Sequence, residues 1–100
     1  MTSRRAVIEN DVDIDRPVVQ VFAYCSDHTN EREWNPKMRY VKKLTDGPVG
    51  AGTRYEMEFV PGRPMVGECV RFDPPHAWEV AGHVFGMDVV LGGAVTPTDH

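Results

Sequence analysis

The sequence has few cysteines, no long hydrophobic run and no apolar leader. Cys25 and Cys69 lie far apart, and two cysteines are too few for a disulfide framework. We expect both to be reduced and mostly buried, since neither has a local partner that would activate a thiolate. No segment is apolar over the roughly 20 residues that a membrane-spanning helix needs. The sequence therefore predicts a cytoplasmic protein without a membrane span.

Positive charge is also scarce. The chain has 11 Lys and Arg against 15 Asp and Glu, a formal net charge of -4. The nearest thing to a basic cluster is Arg39, Lys42 and Lys43, a set typical of a solvated strand face. Binding to a phosphate backbone needs a concentration of Lys and Arg. The charge pattern therefore disfavours nucleic acid as a partner.

The sequence has no recognisable pattern for metal or phosphate binding. The four histidines, His28, His76, His83 and His100, do not stand at the spacings of paired metal ligands, and no Cys or carboxylate completes a set. The glycines of residues 50–52 precede a predicted strand, whereas a phosphate loop precedes a helix. We therefore predict no metal and no other cofactor.

The 100 residues are enough for one domain with one core. Residues 6–14 alternate between apolar and polar side chains and predict a first strand. Pro17 suits the first turn of a helix, and residues 28–34 predict a second, short helix after a cap at residues 26–27. The first helix has one apolar face at i, i+3, i+4 and i+7, formed by Val18, Val21, Phe22 and Cys25.

After residue 38, turn signals recur at the spacing of about 8 to 12 residues that is typical of an antiparallel meander. The predicted strands are residues 39–44, 54–60, 66–72, 77–83 and 88–96. In the second of these, Tyr55, Met57 and Phe59 share one face, while charged residues occupy the other. We therefore expect a sheet with one apolar and one solvated face.

Four segments together carry a family resemblance. They are residues 15–24 (DRPVVQVFAY), 33–36 (EWNP), 44–55 (LTDGPVGAGTRY) and 73–75 (DPP). In this order, and across nearly the whole chain, they resemble the polyketide cyclase/dehydrase and lipid-transport group of the START-like (SRPBCC) superfamily. The resemblance implies a single START-like domain over residues 1–100, of the α+β class with a helix-grip fold. In that fold a curved antiparallel sheet surrounds an apolar cavity, two short helices close one end, and a long C-terminal helix covers the open face.

The sequence departs from the family plan at its C-terminus, where one more strand and the long helix are absent. In the family that strand lies between the first strand and the last one predicted here, so two sheet edges would lack a neighbour. Burial of the apolar face beneath that helix would contribute roughly 10 to 20 kcal/mol to stability. The net free energy of unfolding of a domain is only about 5 to 15 kcal/mol, so the loss of this cover would matter. We therefore expect a truncated chain, or a homodimer or strand exchange that supplies the cover.

Strand parity and the resemblance select candidate ligand-binding residues on the predicted inner face. Trp34 is expected to pack between the short helices and the sheet. The candidates are Phe22, Trp34, Tyr55, Met57, Phe59, Val70, Phe72, Trp78 and Val80.

Three residues are candidates for acid–base chemistry. Tyr55 carries a hydroxyl that can hydrogen-bond a ligand carbonyl. Glu68 shares strand parity with Val70 and Phe72, which predicts an inward carboxylate that needs a partner or a ligand. His83 ends a strand and can reach the pocket mouth, although an exposed edge histidine is the simpler interpretation. Asp88, which has no partner evident in the sequence, is expected to be exposed.

Three functions stay open on this evidence. The first is binding of a small hydrophobic molecule of lipid, polyketide, aromatic or isoprenoid type in an apolar cavity. The second is a polyketide cyclase/dehydratase that moves protons during ring closure and water loss. The third is a non-catalytic domain that grips another protein through a groove or a sheet edge.

Overall fold

The computed structural model describes residues 12–84 and 86–97 of the chain. Two short helices precede five strands that form one antiparallel sheet in the order β1-β2-β3-β4-β5. The elements are helix α1 (Val18–Ser26), a 3-10 helix (His28–Glu33), β1 (Met38–Lys43), β2 (Arg54–Phe59), β3 (Met65–Asp73), β4 (Ala77–Val84) and β5 (Met87–Ala94). This α+β architecture with a curved sheet is consistent with the START-like fold expected from the sequence.

The predicted meander is confirmed, and each observed strand lies within two residues of its predicted bounds. The strand predicted for residues 6–14 falls largely outside the described residues, because 6–11 are not among them. Residues 12–14 are described and do not belong to a strand. The side chains of Val12 and Ile14 are 78% and 45% exposed.

The two helices begin where the local sequence favours it. Pro17 precedes α1, and its carbonyl accepts hydrogen bonds from the backbone N–H groups of Gln20 and Val21. The carboxylate of Asp27 caps the 3-10 helix by accepting hydrogen bonds from the backbone N–H and the hydroxyl of Thr29, at 3.0 and 2.6 Å. No helix among the described residues is long and apolar enough to cross a bilayer.

The predicted faces of β2 and β4 are confirmed. Tyr55 and Met57 are completely buried, and Trp78 and Val80 are buried beside them. Phe22 of α1 is buried against this surface, as its helical spacing predicts. The side of the sheet that packs on the two helices is called the inner face below.

A β-bulge in β3 changes which residues of that strand face inward. Cys69 pairs with Val80 and Phe72 pairs with Trp78, so β3 contains one more residue than β4 over this stretch. Val70 lies within the irregularity and is 56% exposed. The extra residue reverses the alternation, so that Cys69 and Phe72 both face inward.

Two predictions for β3 are therefore wrong. Glu68 and Val70 were assigned to the inner face because they share strand parity with Phe72, but both are exposed on the opposite face. Regular alternation cannot anticipate a bulge between Cys69 and Arg71. The carboxylate of Glu68 lies 4.0 Å from the guanidinium of Arg54, and both side chains are more than half exposed.

The prediction for Trp34 is also wrong. It follows the 3-10 helix as its C-cap, where its side chain is 56% exposed and does not fill the space between helices and sheet. Met38, at the start of β1, is instead the buried residue of this part of the chain and is 4% exposed within the core cluster.

Candidate functional site

A pair of glycines leaves a patch of the inner face without side chains. Gly67 of β3 pairs directly with Gly82 of β4, and Tyr55 pairs with Gly67 from the other side. A Cβ atom on Gly67 would lie 2.7 Å from Cγ1 of Val80, and one on Gly82 would lie 2.8 Å from Cε of Met65. Side chains from neighbouring positions therefore occupy the space above the two glycines, called the glycine hollow here.

Val80 and two methionines fill the glycine hollow. Met65 reaches over Gly82, and Cε of Met57 lies 3.8 Å from the Cβ position of Gly67. Both methionines are buried in the core cluster of the sheet. A thioether side chain has three rotatable bonds and fits irregular space, so its end can move aside at small cost. The methionine ends are thus the adaptable part of the packing over the two glycines, and the β-branched side chain of Val80 is the fixed part.

Tyr55 places an unpartnered hydroxyl in this apolar surface. The residue is fully buried, and its hydroxyl has no partner at normal hydrogen-bond geometry among the described residues, although the backbone N–H of His28 lies near enough to act on its pKa and leaves the hydroxyl proton without an acceptor. Leaving such a group unsatisfied costs about 1–3 kcal/mol. Burial, followed by the charge of Asp27, raises the pKa of the Tyr55 phenol to about 12, while the nearby His28 backbone acts in the opposite direction. The hydroxyl is therefore a protonated donor at neutral pH.

A chain of buried polar side chains links the 3-10 helix to the sheet. The indole N–H of Trp78 donates to Nε2 of His28 at 3.0 Å, and Nδ1 of His28 lies 3.0 Å from Oε1 of Glu31. Oε2 of Glu31 accepts from the side-chain amide of Asn35 at 2.8 Å. Because indole is only a donor, Nε2 must be the acceptor and the proton must sit on Nδ1. The chain thus fixes one neutral tautomer of His28.

Trp78 is held by packing as well as by this hydrogen bond. Its ring meets Phe22 edge to face, with centroids 5.7 Å apart and planes at 85°. Phe22 in turn lies 5.4 Å from Phe72. On the other side the indole lies directly over Gly93 of β5, where a Cβ atom would come within 2.6 Å of Cη2. Because Gly93 has no Cβ atom, the indole ring of Trp78 has room at that position.

Two grooves lie outside this packed region. One of about 280 Å³ lies beside Trp78 and Gly93, between β4 and β5. The other, of about 400 Å³, runs along α1 and is lined by Ile14, Val21 and Cys25 among others. Neither is lined by Tyr55, so the apolar centre of the inner face is filled by its own side chains.

The candidate ligand-binding residues divide into three sets. Five are buried together on the inner face: Phe22, Tyr55, Met57, Trp78 and Val80. Phe59 and Phe72 are half-buried and pack against that cluster. Trp34 and Val70 point away from it.

The three candidate acid–base residues are not brought together. Tyr55 is on the inner face, whereas Glu68 is on the opposite, solvated face. His83 is 64% exposed and lies 3.0 Å from a carboxylate oxygen of Asp88, across the β4–β5 pair. Asp88 is exposed as expected, but His83 is its partner, which the sequence did not reveal. The exposed-edge interpretation of His83 is therefore the one that fits.

Sequence reasoning missed His28 and Glu31, the most buried titratable pair of the helices. Their i, i+3 spacing directly after the capping Asp27 was the one available signal. The partner of His28, Trp78, lies 50 residues further on, which no local pattern connects to it.

The remaining reactive groups are unremarkable. Both cysteines are free, as predicted, with Cys69 buried and Cys25 half-buried. Burial raises the pKa of each thiol, which keeps it protonated and unreactive. Within residues 12–84 and 86–97, no three His, Cys, Asp or Glu side chains gather as metal ligands would.

The antiparallel sheet, packed on two short helices and with an apolar inner face, is an α+β architecture consistent with a START-like fold. The family model for polyketide cyclase / dehydrase and lipid transport matches residues 5–100, and the chain belongs to this family. No curated protein and no solved structure matches the chain. The family name covers both catalysis and carriage, so the choice between them depends on the site.

Proposed function

We propose that the domain binds a small hydrophobic molecule, of lipid, polyketide, aromatic or isoprenoid type, against the inner face of its sheet. The observation that carries the proposal is the glycine hollow filled in part by methionines. A cross-strand pair of glycines removes side chains from the centre of the sheet, and Val80 fills the gap together with the movable thioether ends of Met57 and Met65. A ligand that displaces them keeps apolar contact on every side.

Incomplete cover on the β5 side gives such a ligand a route in. Tyr55 and Met57 of β2 are fully buried, but on β5 Val89 and Leu91 are only half-buried, and Met87 is 50% exposed. These three side chains continue the apolar surface from Val80 towards solvent, since Val80 pairs with Leu91. We propose that the ligand enters across β5 and ends at the hollow.

The hydroxyl of Tyr55 supports a ligand that carries a hydrogen-bond acceptor. It is buried and unpartnered, and its strand neighbour is Gly67 of the hollow. A ligand oxygen at this point would satisfy the donor and recover its desolvation cost. Specificity would then come from one polar contact within an otherwise apolar site.

Binding is better supported than catalysis. A cyclase or dehydratase would need a group that exchanges protons near neutral pH. Glu68 and His83 lie away from the inner face, and the pKa of Tyr55 is raised to about 12. Nε2 and Nδ1 of His28 are both engaged already. The described residues therefore favour a carrier or sensor.

Two matched probes test this function. 2-Acetylnaphthalene presents a ketone acceptor, and 2-ethylnaphthalene is a hydrocarbon of nearly the same shape. We expect saturable binding of both by isothermal titration calorimetry, with the ketone tighter in the wild type. Tyr55→Phe should weaken the ketone by roughly 3- to 10-fold, the value of one net hydrogen bond, and leave the hydrocarbon unchanged.

Tyr40→Phe is the matched control, because Tyr40 already donates to Glu56 at 3.1 Å. Tyr40→Phe should change the affinity for neither the ketone nor the hydrocarbon probe. Native mass spectrometry of freshly purified protein would identify any natural ligand that co-purifies. If neither probe binds saturably up to its solubility limit, the proposed binding function is wrong. If both bind but Tyr55→Phe has no effect, only the role of the hydroxyl is wrong.

A further inference from the structure

The hydrogen bonds of His28 depend on its charge state. Its Nε2 accepts the indole N–H of Trp78 at 3.0 Å, so that nitrogen carries no proton. Its Nδ1 lies 3.0 Å from Glu31 and supplies the proton of that contact. A second proton could only be placed on Nε2, where it would face the indole N–H directly. Two donors cannot share one hydrogen bond, so protonation must break the contact with Trp78.

Breaking that contact affects more than one bond. The rings of His28 and Tyr55 meet with centroids 5.6 Å apart, and those of His28 and Trp78 at 6.4 Å. His28 is 5% exposed, so a charged imidazole has little water to replace the lost interaction. The indole is the only side chain of β4 that this helix engages by a hydrogen bond in the described part of the chain.

Several charged and titratable groups surround the imidazole of His28. The carboxylate of Glu31 on the same helix lies 3.0 Å from Nδ1, and both side chains are buried. Tyr55 faces the ring from β2 as a neutral phenol. Asp27, immediately before His28, already accepts two hydrogen bonds from Thr29.

The other packed elements bring charges that have partners elsewhere. On β1, Arg39 lies 3.0 Å from Glu58, and Lys43 donates to the backbone carbonyl of Gly47. On α1, Tyr24 donates to Glu33, and the thiol of Cys25 stays neutral because burial raises its pKa. Glu31 is thus the charge in direct contact with the imidazole.

We propose that His28 is a protonation-sensitive lock between the 3-10 helix and the sheet. In its neutral form it holds Trp78 and keeps the helix on the inner face. A proton on Nε2 breaks that hydrogen bond, frees the indole from its position between Phe22 and Gly93, and loosens the helix. The lock depends on the hydrogen bonds alone and acts whether or not the inner face binds a ligand.

Nuclear magnetic resonance of the full, 15N-labelled chain tests the lock directly. The chain has two tryptophans, and Trp34→Phe assigns their indole N–H signals. As the pH falls, the Trp78 signal should move towards the position of the exposed Trp34, with the same midpoint as the His28 ring signals. If Trp78 keeps its hydrogen-bonded shift after His28 has gained a proton, the lock is wrong. It is also wrong if His28 gains no proton before the chain unfolds.

Variants separate His28 from the other titrating groups. His28→Gln retains an acceptor for the indole but cannot take a proton, so the acid response of Trp78 should be lost. His83→Gln, at an exposed histidine, should leave it intact. Glu31→Gln removes the neighbouring negative charge but keeps an acceptor oxygen for Nδ1 and leaves Nε2 of His28 able to take a proton, so the response of Trp78 should persist. A Trp78 response that survives His28→Gln but disappears in Glu31→Gln would overturn the proposal. If a variant does not fold, the wild-type titration alone decides whether the lock exists.

Discussion

Removing the Tyr55 hydroxyl should stabilise the unliganded protein, which is the reverse of what most buried tyrosines show. The hydroxyl is buried and has no partner among the described residues, so it carries a desolvation cost of about 1–3 kcal/mol without a hydrogen bond in return. Tyr55→Phe keeps the ring, which is packed at full burial. After allowance for the small gap left by one oxygen atom, we expect a gain of about 1 kcal/mol in the free energy of unfolding.

Urea denaturation followed by circular dichroism measures this gain. The midpoint should rise while the slope m stays the same, and the melting temperature should rise by roughly 4–8 °C for a domain of this size. Tyr40→Phe is the control, because it removes a hydrogen bond to Glu56 and should cost up to about 1 kcal/mol. If Tyr55→Phe is as destabilising as Tyr40→Phe, the hydroxyl has a partner and the reasoning is refuted.

The same substitution has a signature at high pH. The pKa of Tyr55 is raised from 10.0 in the unfolded chain to about 12 in the fold, chiefly by burial. The folded state therefore holds the proton more tightly, and this contribution is complete below pH 10 and lost as the pH rises to about 12. The loss amounts to roughly 2–3 kcal/mol. The stability advantage of Tyr55→Phe over the wild type should consequently grow between pH 10 and 12, and a constant difference would show that the shift is absent.

Three further predictions concern other parts of the sheet. Gly93→Ala places a Cβ atom 2.6 Å from the ring of Trp78 and should cost about 1–3 kcal/mol in urea denaturation, whereas Gly50→Ala meets its nearest atom at 4.0 Å and should cost far less; equal effects would contradict the close packing at Trp78. Glu68→Gln should change the free energy of unfolding by no more than about 0.5 kcal/mol and leave probe binding unaltered, because its one described ion pair is exposed and long; a large loss of binding would restore Glu68 to the site. Met87→Lys should reduce any concentration-dependent association seen by sedimentation velocity, because this 50% exposed residue extends the apolar inner face at β5; association that is unchanged in the variant would exclude that surface.

The strands were predictable from the sequence because the turns between them are strongly marked. The alternation of β2 identified Tyr55 and Met57 as inner residues, and the i, i+4 spacing of α1 identified the face that buries Phe22. Each of these patterns is local, and nothing along those elements interrupts it. Local periodicity is therefore sufficient wherever an element is regular.

The errors lie where the chain departs from regularity or depends on distant contacts. One inserted residue in β3 reverses the alternation, so Glu68 and Val70 were placed on the wrong face. The glycine hollow depends on the register of β3 against β4, which sets Gly67 opposite Gly82. The role of His28 depends on an indole 50 residues away. None of these follows from composition or spacing within one segment.

The hydrogen bond between His28 and Trp78 also has a consequence for synthesis of the chain on the ribosome. At about 5–20 residues per second, residue 78 emerges roughly 3–10 s after residue 28. During that interval β1 and β2 are already translated, and Tyr55 of β2 is available to the ring of His28. The acceptor nitrogen of His28, however, gains its indole partner only when the fourth strand is translated, so this buried link between helix and sheet is completed late.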